Sequence, residues 1–192
     1  MKRKLALLLA MLMLLTALAG CGGNKEWTGK HKVEIEVKDY GTITLEINCD
    51  TAPQTASNFL NLAKKGFYNG LTFHRVINGF AIYGGDPNGD GTGNSGSTIT
   101  GEFISNGYNN PLSNTRGAIG MARGINYNSA SSQFYILQES NTFLDGDFAV
   151  FGYVTSGMEV VDQICSTVPT TGEDGYVAED YQPKITSIKV VK

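Results

Sequence analysis

The sequence predicts a mostly β domain of about eight short strands and two amphipathic helices. That inventory fits a closed barrel whose open ends are plugged by helices, or a sandwich. Three observations carry it. Short runs of β-branched and aromatic residues recur between turn residues along most of the chain. Glycine accounts for 24 of 192 residues, which suits a turn-rich architecture better than a helical bundle. Two stretches place apolar residues at helical spacing. The length is enough for one domain with a substantial core.

The N-terminal segment reads as a targeting signal and not as part of the fold. Lys2-Arg3-Lys4 is a basic patch ahead of the apolar run Leu5–Leu15, and Leu18-Ala19-Gly20 supplies small residues before Cys21. The apolar run is shorter than the ~20 residues of a spanning helix, so residues 1–20 read as an export signal. Leu18-Ala19-Gly20-Cys21 resembles a bacterial lipobox. That resemblance implies cleavage before Cys21 and lipidation of its thiol, placing the protein on the extracytoplasmic side of a bacterial cell membrane. An ordinary secreted protein with a free or paired Cys21 is the alternative. Residues 21–32 are polar and irregular and read as a linker, with Trp27 either at the membrane interface or a plain linker residue. Residues 33–192 form the domain.

The domain's elements follow in order. Val33–Val37 alternates as a half-buried strand, Asp39-Tyr40-Gly41 turns, and Thr42–Ile47 alternates again. Asp50-Thr51-Ala52-Pro53 starts a helix, and Ala56, Phe59, Leu60 and Ala63 recur at helical spacing through Thr55–Lys65, with Gly66 ending it. Thr72–Ile77 and Phe80–Tyr83 flank Asn78-Gly79, the strongest short hairpin signal, which predicts a type I′ turn. Alternation puts Phe73, Arg75 and Ile77 on one face and His74 and Val76 on the other. Ala118–Ala122, Gln133–Gln138 and Phe148–Val154 are further strands, Met158–Ile164 is a second helix, and Lys184–Val191 is the closing strand.

Charge and cysteines exclude some functions. Without Lys2, Arg3 and Lys4, 12 basic residues face 18 acidic ones, a net charge of −6. That argues against nucleic-acid binding by phosphate neutralisation and against charge-driven adhesion to anionic lipid. Cys49 and Cys165 read as buried free thiols; export permits a bridge, but two cysteines make no framework. Two motifs in the Gly84–Gly101 loop are decoys. Gly91-Thr92-Gly93-Asn94-Ser95-Gly96 spells a dinucleotide fingerprint, but no amphipathic helix follows. Asp86-Pro87-Asn88-Gly89-Asp90-Gly91 begins like a calcium loop, but Ser97 stands where a bidentate glutamate is required.

The run Phe73-His74-Arg75-Val76-Ile77-x-x-Phe80-x-Ile82-x-Gly84-Gly85-Asp86 resembles the cyclophilin family of peptidyl-prolyl cis-trans isomerases. The likeness continues through Gly120-Met121-Ala122, Ser131-Ser132-Gln133-Phe134-Tyr135-Ile136, Phe143-Leu144-Asp145-Gly146 and Val150-Phe151-Gly152-Tyr153-Val154, and spans about Val33 to Val191. It implies a closed eight-stranded antiparallel barrel capped by two α-helices. It implies that Arg75 is the catalytic arginine and that Gln133 hydrogen-bonds the substrate backbone. Phe80, Tyr135 and Leu144 would line a pocket for proline, and Ala122 and Arg123 would border the groove, Arg123 through its main chain. The implied partners are proline-containing peptides or unfolded protein segments, without cofactor or metal. Four positions depart from the family pattern: Ala81 replaces methionine, Tyr83 glutamine, Phe143 tryptophan, and Phe148 histidine or tyrosine. Ala81 implies a wider pocket floor, Tyr83 lacks the amide that helps orient the arginine, and Phe148 removes a polar tip.

The residues suit that chemistry. Rotation about X-Pro is limited by lost amide resonance, about 18–20 kcal/mol. At the twisted transition state the proline nitrogen regains a lone pair that a guanidinium can hydrogen-bond and that the planar amide cannot offer. Arginine stays protonated and presents a fixed fork of donors. The competing function is a proline-peptide binding or holdase module with little turnover, motivated by Ala81, Tyr83 and Phe148. A barrel binding a carbohydrate or another small ligand has no specific residue in its favour.

Overall fold

The computed structural model describes residues 25–191; the expected export signal and Cys21 lie outside them. Among the described residues, eight strands and two α-helices follow in order: β1 Lys30–Val37, β2 Gly41–Asn48, α1 Pro53–Lys64, β3 Thr72–Ile77, β4 Ala81–Asp86, β5 Ala118–Met121, β6 Phe134–Leu137, β7 Val150–Ser156, α2 Met158–Thr167 and β8 Ile185–Val191. The strands form one sheet in the order β3-β4-β6-β5-β7-β2-β1-β8, and every pairing is antiparallel. Register shifts interrupt the β1–β8, β2–β7, β5–β7 and β3–β4 ladders. Each bulge adds local twist, and the sheet curls accordingly.

The expected closed barrel is corrected to a half-barrel, curled through 241°. Its end strands β3 and β8 meet near one bridge, Thr72–Lys184, with Phe73 N donating to Pro183 O at 2.9 Å beside it. Beyond that point an irregular segment takes the outer edge of β3. Val76 N donates to Gly175 O at 2.7 Å, and Val177 N to His74 O at 2.9 Å. With those groups satisfied, β8 has no ladder left to extend on β3.

The concave face and the two helices enclose the main core. Phe59 of α1 packs its ring within 5.2–5.4 Å of Tyr68, Phe134 and Phe151. The N-cap of α1, Ala52, has no side-chain bond of its own. The buried Glu102 carboxylate supplies the cap instead, accepting from Gln54 N at 3.0 Å and Thr55 N at 2.7 Å. Cys49 and Cys165 are buried free thiols, pushed up to about 11 and about 12 chiefly by burial. Thiols held protonated that way are inert.

The segment ahead of β1 differs from a plain tether. Trp27 is buried in the core, its backbone N–H donating to Ser57 Oγ at 2.9 Å and its indole N–H to Asn61 Oδ1 at 3.0 Å. Asn61 Nδ2 returns a bond to Lys25 O at 2.7 Å. Two polar side chains on α1 are therefore buried because they anchor the chain's first described residues.

Candidate active site

The β3–β4 hairpin turns as a type II turn and not as type I′. Phe80 N donates to Ile77 O at 3.0 Å, and φ is positive at Gly79 (78°) but not at Asn78. A β-bulge then breaks the alternation of β3, because Phe73 pairs with Gly84 while Arg75 pairs with Tyr83. Phe73 and Val76 enter the main core, His74 is buried in the bulge, and Arg75 emerges on the convex face. The expected sharing of one face by Phe73 and Arg75 is thereby corrected.

On the convex face a second apolar cluster forms. Ala81, Ala118, Tyr135, Leu137 and Val150 are buried at its base, and Phe80, Tyr83, Ala122, Leu144 and Phe148 are among the half-exposed residues above. Tyr83 lies at its centre, 6.4 Å from Phe80 and 5.8 Å from Tyr135 between ring centroids, and Tyr135 meets Phe148 edge-on at 6.1 Å. Burial pushes the Tyr83 phenol up while Arg75 pulls it down; burial leads in raising Tyr135 well above its ordinary value. Both phenols stay neutral, and the patch stays apolar.

Arg75 stands at one edge of this patch. Its Cζ lies 4.9 Å from the Tyr83 centroid and 5.8 Å from that of Tyr176, and its Nε donates to Asp174 O at 2.6 Å. Among the described residues no carboxylate pairs with it, and its Nη groups bond nothing. A stacked guanidinium fixed at Nε and open at Nη is a pre-aimed pair of donors.

The other edge is built by Gln133 and Arg123. Gln133 Nε2 donates to Gly91 O at 3.0 Å and Gly93 O at 2.8 Å, so its donors hold the loop and its Oε1 remains as an acceptor. A cleft of about 180 Å³ opens beside it, lined by Gly91, Gly93, Ala122, Arg123, Ser129 and Gln133 among others. No hydrogen bond joins Gln133 to Arg75 among the described residues. Gly91 and Tyr176 lie between them, and a side chain at Gly91 would meet the Tyr176 hydroxyl at 3.0 Å.

A polar relay fixes the base. Tyr135 OH donates to buried Asn114 Oδ1 at 2.6 Å, and Asn114 gives its N–H and Nδ2 to Asp145 Oδ1 at 2.6 and 2.9 Å. Burial would raise the Asp145 carboxyl, but these bonds and one from Ser113 outweigh it and hold the group below its ordinary value. Asp145 thus clamps the turn carrying Leu144 to the ring beneath it. Gly120 faces that ring from β5, and a Cβ there would overlap the Tyr135 phenol.

Residues 32–190 match the family described as cyclophilin type peptidyl-prolyl cis-trans isomerase/CLD. The chain belongs to the cyclophilin-type isomerases. A peptidyl-prolyl cis-trans isomerase of Acinetobacter baylyi is 42% identical over 163 residues, covering 81% of this chain and 84% of its own. Peptidyl-prolyl cis-trans isomerase B of Bacillus subtilis is 46% identical over 123 residues, covering 64% and 82%. A crystal structure of a Cryptosporidium parvum cyclophilin superposes with a TM-score of 0.74 at 28% identity, covering 85% of this chain and 98% of that one. A second crystal structure of that protein was determined in the presence of the dipeptide Ala-Pro.

Within this cyclophilin the site residues expected from sequence fall into three groups. Arg75, Phe80, Ala81, Tyr83, Ala122, Tyr135, Leu144 and Phe148 come together on one patch, and Gln133 and Arg123 border it. Ala81 is fully buried and does not widen an open floor. Phe143 is 95% exposed and stands outside the cluster that holds Leu144. Leu144, the next residue of the same turn, packs against the cluster. Sequence reasoning missed Asn114, Asp145, Asp174 and Tyr176. The first two stood in stretches recognisable as turns. Tyr176 and Asp174 lie in an irregular segment brought beside Arg75 by non-local pairing, which carries no local signal.

The calcium reading of the Asp86 loop fails on geometry. The buried Asp86 carboxylate turns inward to accept Asn88 N at 2.8 Å, Asp90 N at 3.1 Å and Gly91 N.

Proposed function

We propose that this isomerase seats a substrate proline on the Phe80–Tyr83–Tyr135–Leu144–Phe148 patch and rotates its peptide bond beneath Arg75. One observation carries the reading: the Arg75 guanidinium is stacked on Tyr83, tethered at Nε, and open at Nη along the edge of the only described patch that joins these rings. The rings hold the pyrrolidine and exclude water, while an Nη–H donates to the proline nitrogen as amide resonance is lost. Tyr83 takes over the orienting duty by stacking under the charge. Gln133 Oε1 accepts a substrate backbone N–H beside the patch. A peptide carrying proline should perturb the NMR signals of Phe80, Tyr135, Leu144 and Phe148 and leave Phe143 unmoved. Perturbation confined to another face removes this assignment.

The setting is part of the same proposal. The export signal and Cys21 support a lipid-anchored protein on the extracytoplasmic side of the membrane, acting on proline bonds in exported proteins. Replacing Cys21 by Ser should move the protein from the membrane fraction to the soluble fraction and abolish fatty-acid labelling. Unchanged fractionation and labelling would rule the anchor out.

A further inference from the structure

Three arginines lie among the described residues, and their partners differ. Arg116 is paired with Asp162 at 2.7 Å and faces Glu139 at 3.7 Å. Arg75 and Arg123 have no carboxylate partner among the described residues, and both border the same patch. The Arg123 side chain carries a charge on a rigid seat, apart from any main-chain contact at the groove.

The seat is well defined. Arg123 Cζ lies 4.7 Å from the Phe148 centroid, 5.0 Å from Phe103 and 5.1 Å from Tyr127. Its Nε donates to Asp147 O and its Nη1 to Gly124 O, both at 2.9 Å. Nη2 has no hydrogen-bond partner among the described residues. Nη1 also reaches Ile125 O at 3.4 Å, so three rings and three carbonyls fix the plane of a half-buried guanidinium while one donor pair stays open. The same residue lines the 180 Å³ cleft with Ala122 and Gln133, directly beside the proline patch through Phe148. The cleft's other named walls are glycine, serine and asparagine, and none of its lining residues is acidic. A fixed cation with an unused donor face, in a small polar cleft, selects a carboxylate.

We propose that Arg123 is a specificity-determining residue, and that this isomerase prefers proline segments carrying an aspartate or glutamate within two residues of the proline. The inference rests on the proposed substrate patch, because the cleft serves a peptide only if proline sits beside Phe148. A peptide backbone passing Gln133 brings a neighbouring side chain over the cleft, and its carboxylate meets Arg123 Nη2. An exposed ion pair contributes little, and a half-buried one on a pre-organised guanidinium contributes more. The expected preference is roughly 3- to 10-fold in kcat/KM over the uncharged isostere.

The test uses the full chain in detergent and a set of short proline peptides. Each position within two residues of the proline carries Asp or Glu in one peptide and Asn or Gln in its match. At one position the acidic peptide should turn over about 3- to 10-fold faster in kcat/KM, with the gain shrinking as salt rises. In Arg123→Gln the acidic-to-neutral ratio should fall to about one, and Arg123→Lys should restore part of it. A ratio near one at every position in the unaltered enzyme overturns the proposal. So does a ratio that persists in Arg123→Gln. Should that variant not fold, loss of the preference in high salt supports the proposal and a salt-independent preference overturns it. Failure of the patch itself reads differently: no proline peptide, acidic or neutral, would then perturb Phe148.

Discussion

The Arg75 guanidinium lies over the Tyr83 ring, with 4.9 Å from Cζ to the ring centroid. The two residues are cross-strand partners on β3 and β4, so the backbone register fixes their approach. The arginine is held by stacking on that ring plus one bond from its Nε to Asp174 O.

That arrangement makes Tyr83 a positioning residue. Tyr83→Phe keeps the ring and should retain turnover within about twofold. Tyr83→Leu removes a cation–π contact of about 0.5–2 kcal/mol and should lower kcat by roughly 3- to 30-fold with a smaller change in KM. Exchange NMR on a proline peptide measures both. Equal losses in the two variants would show that the hydroxyl matters and the ring does not.

Gly120 tests the base of the patch. Gly120→Ala forces Tyr135 away from Asn114 and should cost about 1–3 kcal/mol of stability in urea unfolding, together with a drop in turnover. A variant as stable and active as the parent would mean that the ring has room to yield.

Glu102 tests a remote cap. Glu102→Ala strips both bonds from the start of α1 and leaves Gln54 N and Thr55 N without them. A loss of about 1–2 kcal/mol is expected, visible as a lower urea midpoint at an unchanged slope.

His74 gives a pH signature. Burial lowers its pKa from the ordinary 6.5, more strongly than Asp86 raises it. The folded protein therefore binds fewer protons there than the unfolded chain. Its contribution is complete above pH 6.5 and is lost as pH falls from there toward the depressed folded value. Urea midpoints should decline from about pH 6.5 to about pH 5, above the carboxylate range, and His74→Gln should flatten that slope. An identical slope in the variant would assign the decline to other groups.

The sequence made much of this fold legible because its signals are local. Alternation in Val33–Val37 and Thr42–Ile47 marked β1 and β2, and Ala56, Phe59, Leu60 and Ala63 marked α1. What it could not show came from non-local pairing. The bulge at His74 separates Phe73 from Arg75, and it exists only once Gly84 and Tyr83 are in register. The half-barrel stays open because residues 175–177, which lack a strand pattern, occupy the edge of β3. At the site, the motif residues were readable through resemblance. Asp174 and Tyr176, 99 and 101 positions beyond Arg75, were not.

The most direct measurement is cis/trans exchange in a labelled proline peptide at catalytic enzyme concentration, comparing the unaltered chain with Arg75→Ala. Accelerated exchange that falls on the order of 10²-fold or more in the variant, with the peptide still bound on the Phe80–Tyr135 patch, is the expected result. Exchange equally fast without the Arg75 guanidinium, in a correctly folded protein, would contradict the account.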